Sequence, residues 1–389
     1  AERRCTMIQK PLLALIRTFL ISLVAYTLLI GCDATIHEYP DELQIKQDFV
    51  LTLDFDLNVL PYTTIEQNLT RTTSQALRAQ QQHRVRYIVN VYKANDEGTF
   101  SRKAVEQITL YAPSLAEKLP PIRLQLLPGK YRFITWADYV LSSSNKATYY
   151  NASQFEEIKM LHDEEGQYQG NTPWRDAFIG QADAEVEPLE NGSLTIEMER
   201  PLAKYRFITT DLEEFIQQAI EREQAKAEEK ALQYAIAADK LNATVADSTQ
   251  QRTEAMVDTK GNTRSVDLNK FQVIMVYPMF VPCSFNAFTN KPADSWTAQQ
   301  YEGKITQLSE TEAELGFDFV FVNGAEAKIT VGLALYDSDG ELISSIAPIT
   351  LPIKRSRLTT IRGKFLTSHA NSSVGINPSF DGEYNIEIK

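Results

Sequence analysis

Apolar and polar residues alternate in one short segment after another along this chain, and this pattern restricts the fold more than any other feature. In the first such segment, residues 49–57, Leu51, Leu53 and Phe55 share one face with the other odd-numbered apolar residues, whereas Asp54 lies on the opposite face. A period of two is typical of a β-strand with one buried face. We therefore expect this segment to be the first strand of a sheet.

Later segments show the same alternation, with turn residues between them. A Pro-Gly pair at 128–129 and an Asp-Ser-Asp-Gly run at 337–340 mark two of these turns. No helices alternate with the strands, so the sequence predicts an all-β fold built of antiparallel β-sandwiches. The further strands are predicted at residues 85–92, 107–111, 122–127, 130–139, 194–198, 268–277, 315–322, 328–336, 342–346, 359–366 and 384–388.

Residues 211–241 differ in composition from everything around them. Glutamate, glutamine, lysine and alanine dominate, and Leu212, Phe215 and Ala219 recur at helical spacing. Residues 225–231 carry almost only alanine and charge, so we expect this part of the helix to extend into solvent. The insertion is either a solvated helix that packs by one apolar stripe or a helix that binds a partner.

An apolar run near the N-terminus ends in Leu-Ile-Gly-Cys at residues 29–32, which looks like the lipobox of a bacterial lipoprotein. The run follows a positively charged segment and is too short for a comfortable transmembrane span. We therefore predict a signal peptide over residues 1–31, with Met7 as a candidate true start, and a lipid anchor on Cys32. A polar tether follows over residues 32–47. The alternative is an uncleaved helix with a chance cysteine.

Charge and cysteine content restrict the partners and the chemistry. The formal net charge is -12 and the pI is about 5.0, which disfavours nucleic-acid binding because phosphate contacts need a basic surface. With Cys5 in the predicted signal peptide and Cys32 carrying lipid, Cys283 alone is left. The mature chain then has no intrachain disulfide and no multi-cysteine zinc site. We expect Cys283 to be a buried small hydrophobe.

Catalytic and cofactor motifs are missing from the sequence. The four histidines have no zinc-helix spacing, and there is no nucleophile elbow, Walker loop or dinucleotide fingerprint. The run at 337–340 begins like a calcium loop, but its glycine comes too early and Pro348 stands where a bidentate glutamate is needed. We therefore predict no enzyme activity, no metal site and no cofactor.

Aromatic residues between 136 and 174 allow two interpretations. Their side chains are either core and hairpin packing or a platform for a sugar. The second interpretation supports an alternative function, a monomeric surface lipoprotein that binds glycan or a host ligand through the loops between Tyr149 and Trp174. The residues concerned are Trp136, Tyr139, Tyr149, Tyr150, Tyr168 and Trp174.

The hexamer Lys-Tyr-Arg-Phe-Ile-Thr occurs twice, at 130–135 and at 204–209. Strands draw on a small set of residues, so one hexamer also recurs by chance. The repeat agrees with two domains of similar build, and the chain is long enough for both. We predict an N-terminal sandwich over residues 48–198 and a C-terminal sandwich over residues 199–389 that contains the helical insertion.

Four further motifs carry a resemblance to a known family. Together with the lipobox, they resemble the fimbrillin-like lipoproteins of Bacteroidota, among them the fimbrial anchor subunits and a related uncharacterised family. The resemblance implies two tandem transthyretin-like β-sandwich domains and a lipid-anchored protein on the outer membrane, exposed at the cell surface. It also implies other fimbrial subunits as partners, which are engaged by exchange of β-strands. The motifs lie at residues 133–139, 175–178, 199–204 and 361–366.

The same resemblance suggests roles for particular residues. Related stalk subunits are processed by an arginine-specific protease in the loop after their first strand, and that segment here contains the arginines 71, 78 and 84. Arg71 and Arg78 are the candidate processing sites, although arginines are also ordinary in an exposed loop. Leu51, Leu53 and Phe55 would belong to the groove strand. The C-terminal residues Tyr384, Ile386 and Ile388 alternate as an exchange strand or an ordinary edge strand would, whereas the helical insertion departs from the simplest fimbrillin pattern.

Overall fold

The computed structural model describes residues 45–55, 82–242, 266–368 and 384–387. Within these ranges the chain forms twenty β-strands, one long α-helix and two single-turn 3-10 helices. Strands dominate, which confirms the all-β class predicted from the alternation of apolar and polar residues.

The strands follow one another closely along the chain. In the N-terminal half they are β1 Gln47–Asp54, β2 His83–Lys93, β3 Glu106–Ala112, β4 Ile122–Leu126, β5 Gly129–Leu141, β6 Tyr150–Asn151, β7 Ile158–Met160, β8 Ala177–Val186, β9 Gly192–Glu197 and β10 Leu202–Thr209. After the helix α1, Leu212–Asn242, they are β11 Gln272–Pro282, β12 Ser284–Asn286, β13 Lys291–Pro292, β14 Ser295–Gly303, β15 Thr306–Gln307, β16 Ala313–Phe321, β17 Glu326–Tyr336, β18 Leu342–Lys354, β19 Leu358–Gly363 and β20 Tyr384–Glu387.

Two sheets with the strand orders β4-β1-β9 and β3-β2-β5-β8 form the N-terminal sandwich. Their apolar faces meet in one core, to which β1 contributes Leu51, β2 contributes Val89, β5 contributes Phe133 and β9 contributes Ile196. All four side chains are fully buried. Burial of an aliphatic or aromatic side chain of this size stabilises the folded state by about 1.5–3 kcal/mol.

Two further sheets, β15-β16-β10-β19-β20 and β14-β11-β17-β18, form the C-terminal sandwich. Its core contains Phe207 from β10, Val273 from β11, Leu315 from β16 and Leu333 from β17. Each of these residues stands at the buried position of an alternating strand, as a half-buried sheet requires.

The two sandwiches repeat one arrangement of strands. β10 takes the place of β1, because each lies between an antiparallel neighbour, β16 or β4, and a parallel neighbour, β19 or β9. In the facing sheets, β14-β11-β17-β18 repeats the order and the antiparallel directions of β3-β2-β5-β8. The repeated hexamer lies in β5 and β10, which are not equivalent strands, so it does not mark this repeat.

Three strand pairs differ from the antiparallel arrangement that the sequence predicted. β1 pairs with β9, β10 with β19 and β19 with β20 in parallel. The alternation within a strand fixes which face is buried but not the direction in which the strand runs. Parallel neighbours need a long crossover, and here the intervening strands of the facing sheet supply it for the first two pairs.

A small sheet joins the two halves of the chain. Its order is β13-β12-β7-β6, and the pairing of β7 with β12 sets Lys159 opposite Ser284. Close to it, the ring of Phe321 lies 5.2 Å from that of Phe285 and 6.5 Å from that of Trp136 in β5. The outer face of the β3-β2-β5-β8 sheet is therefore covered by residues from the second half of the chain.

Helix α1 forms where the sequence predicted it. Its first two turns bury Leu212, Phe215 and Ala219, whereas residues 223–237 are exposed, as expected for a stretch of alanine and charge. Lys226 nevertheless holds the exposed part near the fold, since its Nζ lies 2.7–2.9 Å from carboxylate oxygens in the turn between β17 and β18.

That turn is the Asp-Ser-Asp-Gly run predicted at 337–340. The carboxylate of Asp337 accepts hydrogen bonds from the backbone N–H groups of Asp339 and Glu341, both at 2.9 Å. Gly340 has a φ of 79°, a conformation that costs glycine little. The turn prediction is confirmed. The predicted strand at 268–277 starts later, at Gln272, because Asp267 caps a 3-10 turn in front of it.

Candidate functional site

The first strand, β1, occupies the centre of a three-stranded sheet. Phe49 faces Leu124 of antiparallel β4 on one side and Gly192 of parallel β9 on the other. Leu51 and Leu53, predicted to line a groove, are buried in the core between the two sheets. Both edges of β1 are thus hydrogen-bonded, and one face is apolar.

Phe55 lies just past the end of β1 and is half-buried. Its ring contacts the rings of Tyr87 and Phe178 edge-on, with centroids 6.0 Å and 5.3 Å away. It therefore continues the apolar face of the strand, as the alternation predicted.

A glycine on β9 makes room for the largest side chain of β1. A Cβ atom at Gly192 would lie 2.4 Å from a ring carbon of Phe49, far inside van der Waals contact. The Phe49 ring in turn stacks on Phe133, with centroids 5.2 Å apart. The space around β1 is consequently shaped for an aromatic residue at this position.

The C-terminal strand β20 lies at the edge of its sheet. It is paired with β19 in parallel, with Tyr384 opposite Thr359 and Ile386 opposite Ile361. Among the described residues β20 has no second neighbour in that sheet. Within the described part of the chain, its backbone therefore has one unpaired edge, in contrast to β1.

Several predicted residues lie outside the described ranges. These are Cys32, the candidate lipid attachment site, Arg71 and Arg78, the candidate processing sites, and Ile388 of the candidate exchange strand. Arg84, the third arginine of that segment, lies within β2 opposite Val140 of β5. A backbone paired inside a sheet is a poor protease substrate, so Arg71 and Arg78 remain the candidates.

A buried ion pair links the first half of the chain to the C-terminal sandwich. The Arg175 Nη1 atom lies 2.9 Å from Oδ1 of Asp318, and both side chains are at most 3% exposed. The other carboxylate oxygen accepts hydrogen bonds from the hydroxyls of Tyr168, at 2.8 Å, and Tyr277, at 2.6 Å. The Phe319 N–H donates to Oδ1 at 2.8 Å. Asp318 is thus saturated with donors.

Burial dominates the electrostatics of this cluster. It raises the pKa of Asp318 despite the opposing effect of the Arg175 charge. It also raises the pKa of the Tyr168, Tyr205 and Tyr277 hydroxyls well above their ordinary value, so they stay neutral donors. The cluster is a buried polar network that holds its side chains in fixed orientations, because each buried polar group needs a hydrogen-bond partner there.

Two more arginine–aspartate pairs surround this link. Arg200, between β9 and β10, donates from Nε and Nη2 to the two oxygens of Asp176, each at 2.7 Å. Arg86 and Asp138 form a similar buried bidentate pair on β2 and β5, at 2.9 Å and 2.6 Å. Sequence reasoning missed all three pairs. The available signal was charge inside an apolar run, as in Trp-Arg-Asp-Ala-Phe at 174–178.

The aromatic residues considered for a sugar platform are packed inside the fold. All six are less than 10% exposed, which supports the core-packing interpretation. The loops between Tyr149 and Trp174 do border a cleft of about 700 Å³, and Tyr149 and Tyr168 lie in its lining. The other lining residues are mostly polar, with four glutamines and the carboxylates of Asp163, Glu165 and Glu302.

Reactive groups are few in the part of the chain that the structure describes. There, no group of three histidine, cysteine, aspartate or glutamate side chains is placed to hold a metal ion. Cys283 is buried as predicted, and burial raises the pKa of its thiol to about 11. None of the described helices is both long and apolar enough to span a membrane.

Comparison with known proteins identifies the family. Residues 46–389 match a family of unknown function, DUF6562, and the chain belongs to it. No curated protein matches the chain.

Solved structures that the chain is similar to include the fimbrial anchor protein Mfa2 of Porphyromonas gingivalis, with 8% identity, a TM-score of 0.35, and 77% of this chain and 81% of that chain covered. A fimbrial assembly protein of Parabacteroides distasonis has 11% identity and a TM-score of 0.32, and the match covers 82% of this chain and 91% of that chain. A candidate cell adhesion protein of Bacteroides ovatus has 12% identity and a TM-score of 0.39, and the match covers 82% of this chain and 91% of that chain. The similarity to fimbrial proteins of Bacteroidota and to an uncharacterised family is confirmed.

Proposed function

We propose that this chain is a lipid-anchored cell-surface subunit of a fimbrium, an anchor or accessory subunit that engages its partners by β-strand exchange. The position of β1 carries the proposal. β1 is held on both edges inside a sheet, and residues 56–81, which contain Arg71 and Arg78, connect it to β2, the next described strand. Cleavage in that segment would leave β1, together with the lipid on Cys32, joined to the remaining chain by noncovalent contacts alone, so a cleaved subunit stays anchored only while β1 stays in the sheet.

Loss of β1 would open a groove between β4 and β9. The groove would carry unpaired backbone N–H and C=O groups on both sides and the apolar pockets vacated by Phe49, Leu51 and Leu53. A strand with apolar residues at every second position fills such a groove by β-augmentation. The C-terminal segment with Tyr384, Ile386 and Ile388 has this alternation.

We further infer that each sandwich is a transthyretin-like domain, the first over residues 48–198 and the second over residues 199–389. The strand order repeated between the two sandwiches supports this inference. The helix α1 then stands in the connection between β10 and β11, which corresponds to the connection between β1 and β2 in the first domain.

The lipid anchor is tested by metabolic labelling with an alkyne-tagged fatty acid in a Bacteroidota host. We expect wild-type protein in the outer-membrane fraction to be labelled and Cys32→Ala protein to lose the label. Cys283→Ala is the matched control, since it removes a buried cysteine and should keep the label. Equal labelling of all three proteins would contradict acylation at Cys32.

Assembly is tested on native cell envelopes with epitope-tagged protein, separated in SDS with and without boiling. We expect a ladder that collapses to one band on boiling. Replacement of both Arg71 and Arg78 by glutamine should keep the collapsed band at the mass of the uncleaved chain, and truncation after residue 383 should shorten the ladder. A single band of unassembled size in both lanes would overturn strand exchange for this subunit.

A further inference from the structure

A cleft of about 530 Å³ lies at one end of the β3-β2-β5-β8 sheet, apart from β1. One of its lining residues, His83, also contacts the neighbouring loops: its Nε2 lies 3.1 Å from the Tyr149 hydroxyl, and its ring stacks on Trp174 with centroids 4.1 Å apart. Here β2 begins and the antiparallel strands β3 and β5 end. Its volume is within the range of about 300–1,000 Å³ that is usual for small-molecule sites. The lining residues are His83, Arg84, Tyr111, Ala112, Pro113, Ser114 and Ser142.

Arg84 is the one permanent charge in this lining. Its guanidinium carbon lies 4.2 Å from the centroid of the Tyr111 ring, so the ring supports one face of the guanidinium plane. The Nε atom is enclosed, and the described residues offer it no hydrogen-bond partner. The buried arginines Arg86, Arg175 and Arg200 each lie within 2.6–2.9 Å of an aspartate oxygen. Among the described residues Arg84 has no carboxylate within 4.0 Å.

The charge of the cleft is opposite to that of the protein. The chain as a whole carries a net charge of -12, but the lining of this cleft contains no carboxylate. The cleft between Tyr149 and Tyr301 contrasts with it, since Asp163, Glu165 and Glu302 line that one. A cleft whose lining holds a cation and no carboxylate favours a small anion over a neutral ligand of similar size.

We propose that this cleft binds a saccharide that carries a carboxylate, with the carboxylate on the guanidinium of Arg84. A planar carboxylate matches the two parallel N–H donors of a guanidinium, and its single negative charge matches the one permanent cation in the lining. Ser114 and Ser142 supply hydroxyl groups, which suit the hydroxyls of a sugar ring. The proposal concerns ligand binding and is independent of strand exchange.

The test is isothermal titration of the full-length protein in detergent at low ionic strength. The probes are glucuronic acid, N-acetylneuraminic acid, sodium acetate and glucose. We expect saturable binding of at least one acidic sugar, weaker binding of acetate and no binding of glucose. Arg84→Gln should weaken binding of the acidic sugar by about tenfold or more, because a hydrogen bond to a charged group is lost.

The control variant is Arg123→Gln, which removes the same charge from an exposed position on β4. It should bind the acidic sugar like wild type. Arg84→Lys keeps the charge without the fork of donors and should bind at an intermediate level, which keeps the test valid if Arg84→Gln folds poorly. Equal binding of glucose, equal binding of acetate, or an unchanged affinity in Arg84→Gln would each overturn the proposal. The SDS ladder, which reports on assembly, should be the same for all three variants.

Discussion

Replacement of Asp318 by alanine should destabilise the protein strongly, because the aspartate holds one end of the link between the two halves of the chain. It is 1% exposed and accepts four hydrogen bonds, from Arg175, Tyr168, Tyr277 and the Phe319 backbone. Without it, the guanidinium of Arg175 stays buried with no opposite charge in contact.

The magnitude follows from the charge rather than from the hydroxyls. The removal of one partner of a buried ion pair costs about 3–5 kcal/mol. Each buried hydroxyl that loses its acceptor adds about 1–3 kcal/mol at most. The Tyr277 hydroxyl can still pair with that of Tyr205, whereas Tyr168 keeps only the hydrogen bond that it accepts from Arg175, because a guanidinium cannot accept one. We therefore expect a loss of at least about 3–5 kcal/mol in the free energy of unfolding, a large part of the ordinary total of about 5–15 kcal/mol.

The assay is urea denaturation followed by tryptophan fluorescence. The matched control is Asp183→Ala, which removes an aspartate at a similar distance from its arginine: Arg132 Nε and Asp183 Oδ1 are 2.8 Å apart, but half of the Asp183 side chain is exposed. An exposed pair contributes about 0–1 kcal/mol, so the control should be nearly neutral.

A double variant separates the pair from its surroundings. Replacement of both charges, as Arg175→Met with Asp318→Leu, should be less destabilising than Asp318→Ala alone, because no buried charge remains uncompensated. The reasoning is refuted if Asp318→Ala costs no more than Asp183→Ala, or if the double variant is less stable than the single one.

Three other predictions concern the strands and the helix. Leu51→Ala should lower the free energy of unfolding, measured by urea denaturation, by about 2–5 kcal/mol, whereas Thr52→Ala on the other face of β1 should lower it by less than about 1 kcal/mol. Equal losses in the two variants would contradict the burial of one face. Burial lowers the pKa of Lys204 to about 8, so between this pH and the ordinary lysine pKa only the unfolded chain keeps the proton, and the stability of the fold should rise with pH. Lys204→Met should flatten this rise in thermal melts recorded between pH 7.5 and 9.5. A pH dependence of the melting temperature equal to that of wild type would contradict the prediction. Lys226→Ala should leave global unfolding nearly unchanged but speed proteolysis within residues 223–237, and unchanged cleavage would show that the turn after β17 does not hold the helix.

The strands could be predicted because their signal is local. Alternation placed Leu51 and Leu53 on the buried face of β1, and helical spacing placed Leu212 and Phe215 against the core. The Asp-Ser-Asp-Gly turn at 337–340 was equally local, since its aspartate bonds to backbone groups two and four residues later. Each of these depends on neighbours within a few residues.

Pairing across the chain could not be predicted in the same way. The alternation of apolar and polar residues in β1 would be the same whether its neighbour β9 ran parallel or antiparallel to it, because alternation has no direction. The same holds for the small sheet in which Lys159 faces Ser284. The hexamer repeated in β5 and β10 lies in strands that are not equivalent in the fold, so a local repeat did not identify the equivalent strands.

The sequence by itself determined the fold class, the faces of the strands and the helix, because these follow from periodicities of two and 3.6 residues. Only the tertiary structure decided that Arg175 meets Asp318 and that Arg84 meets no carboxylate among the described residues. With 51 acidic and 39 basic side chains, composition allows many pairings, and the choice among them depends on which strands lie side by side. The pairing therefore depends on contacts between residues far apart in the sequence. Burial makes it matter for stability, because a buried charge without a partner is costly and an exposed one is not.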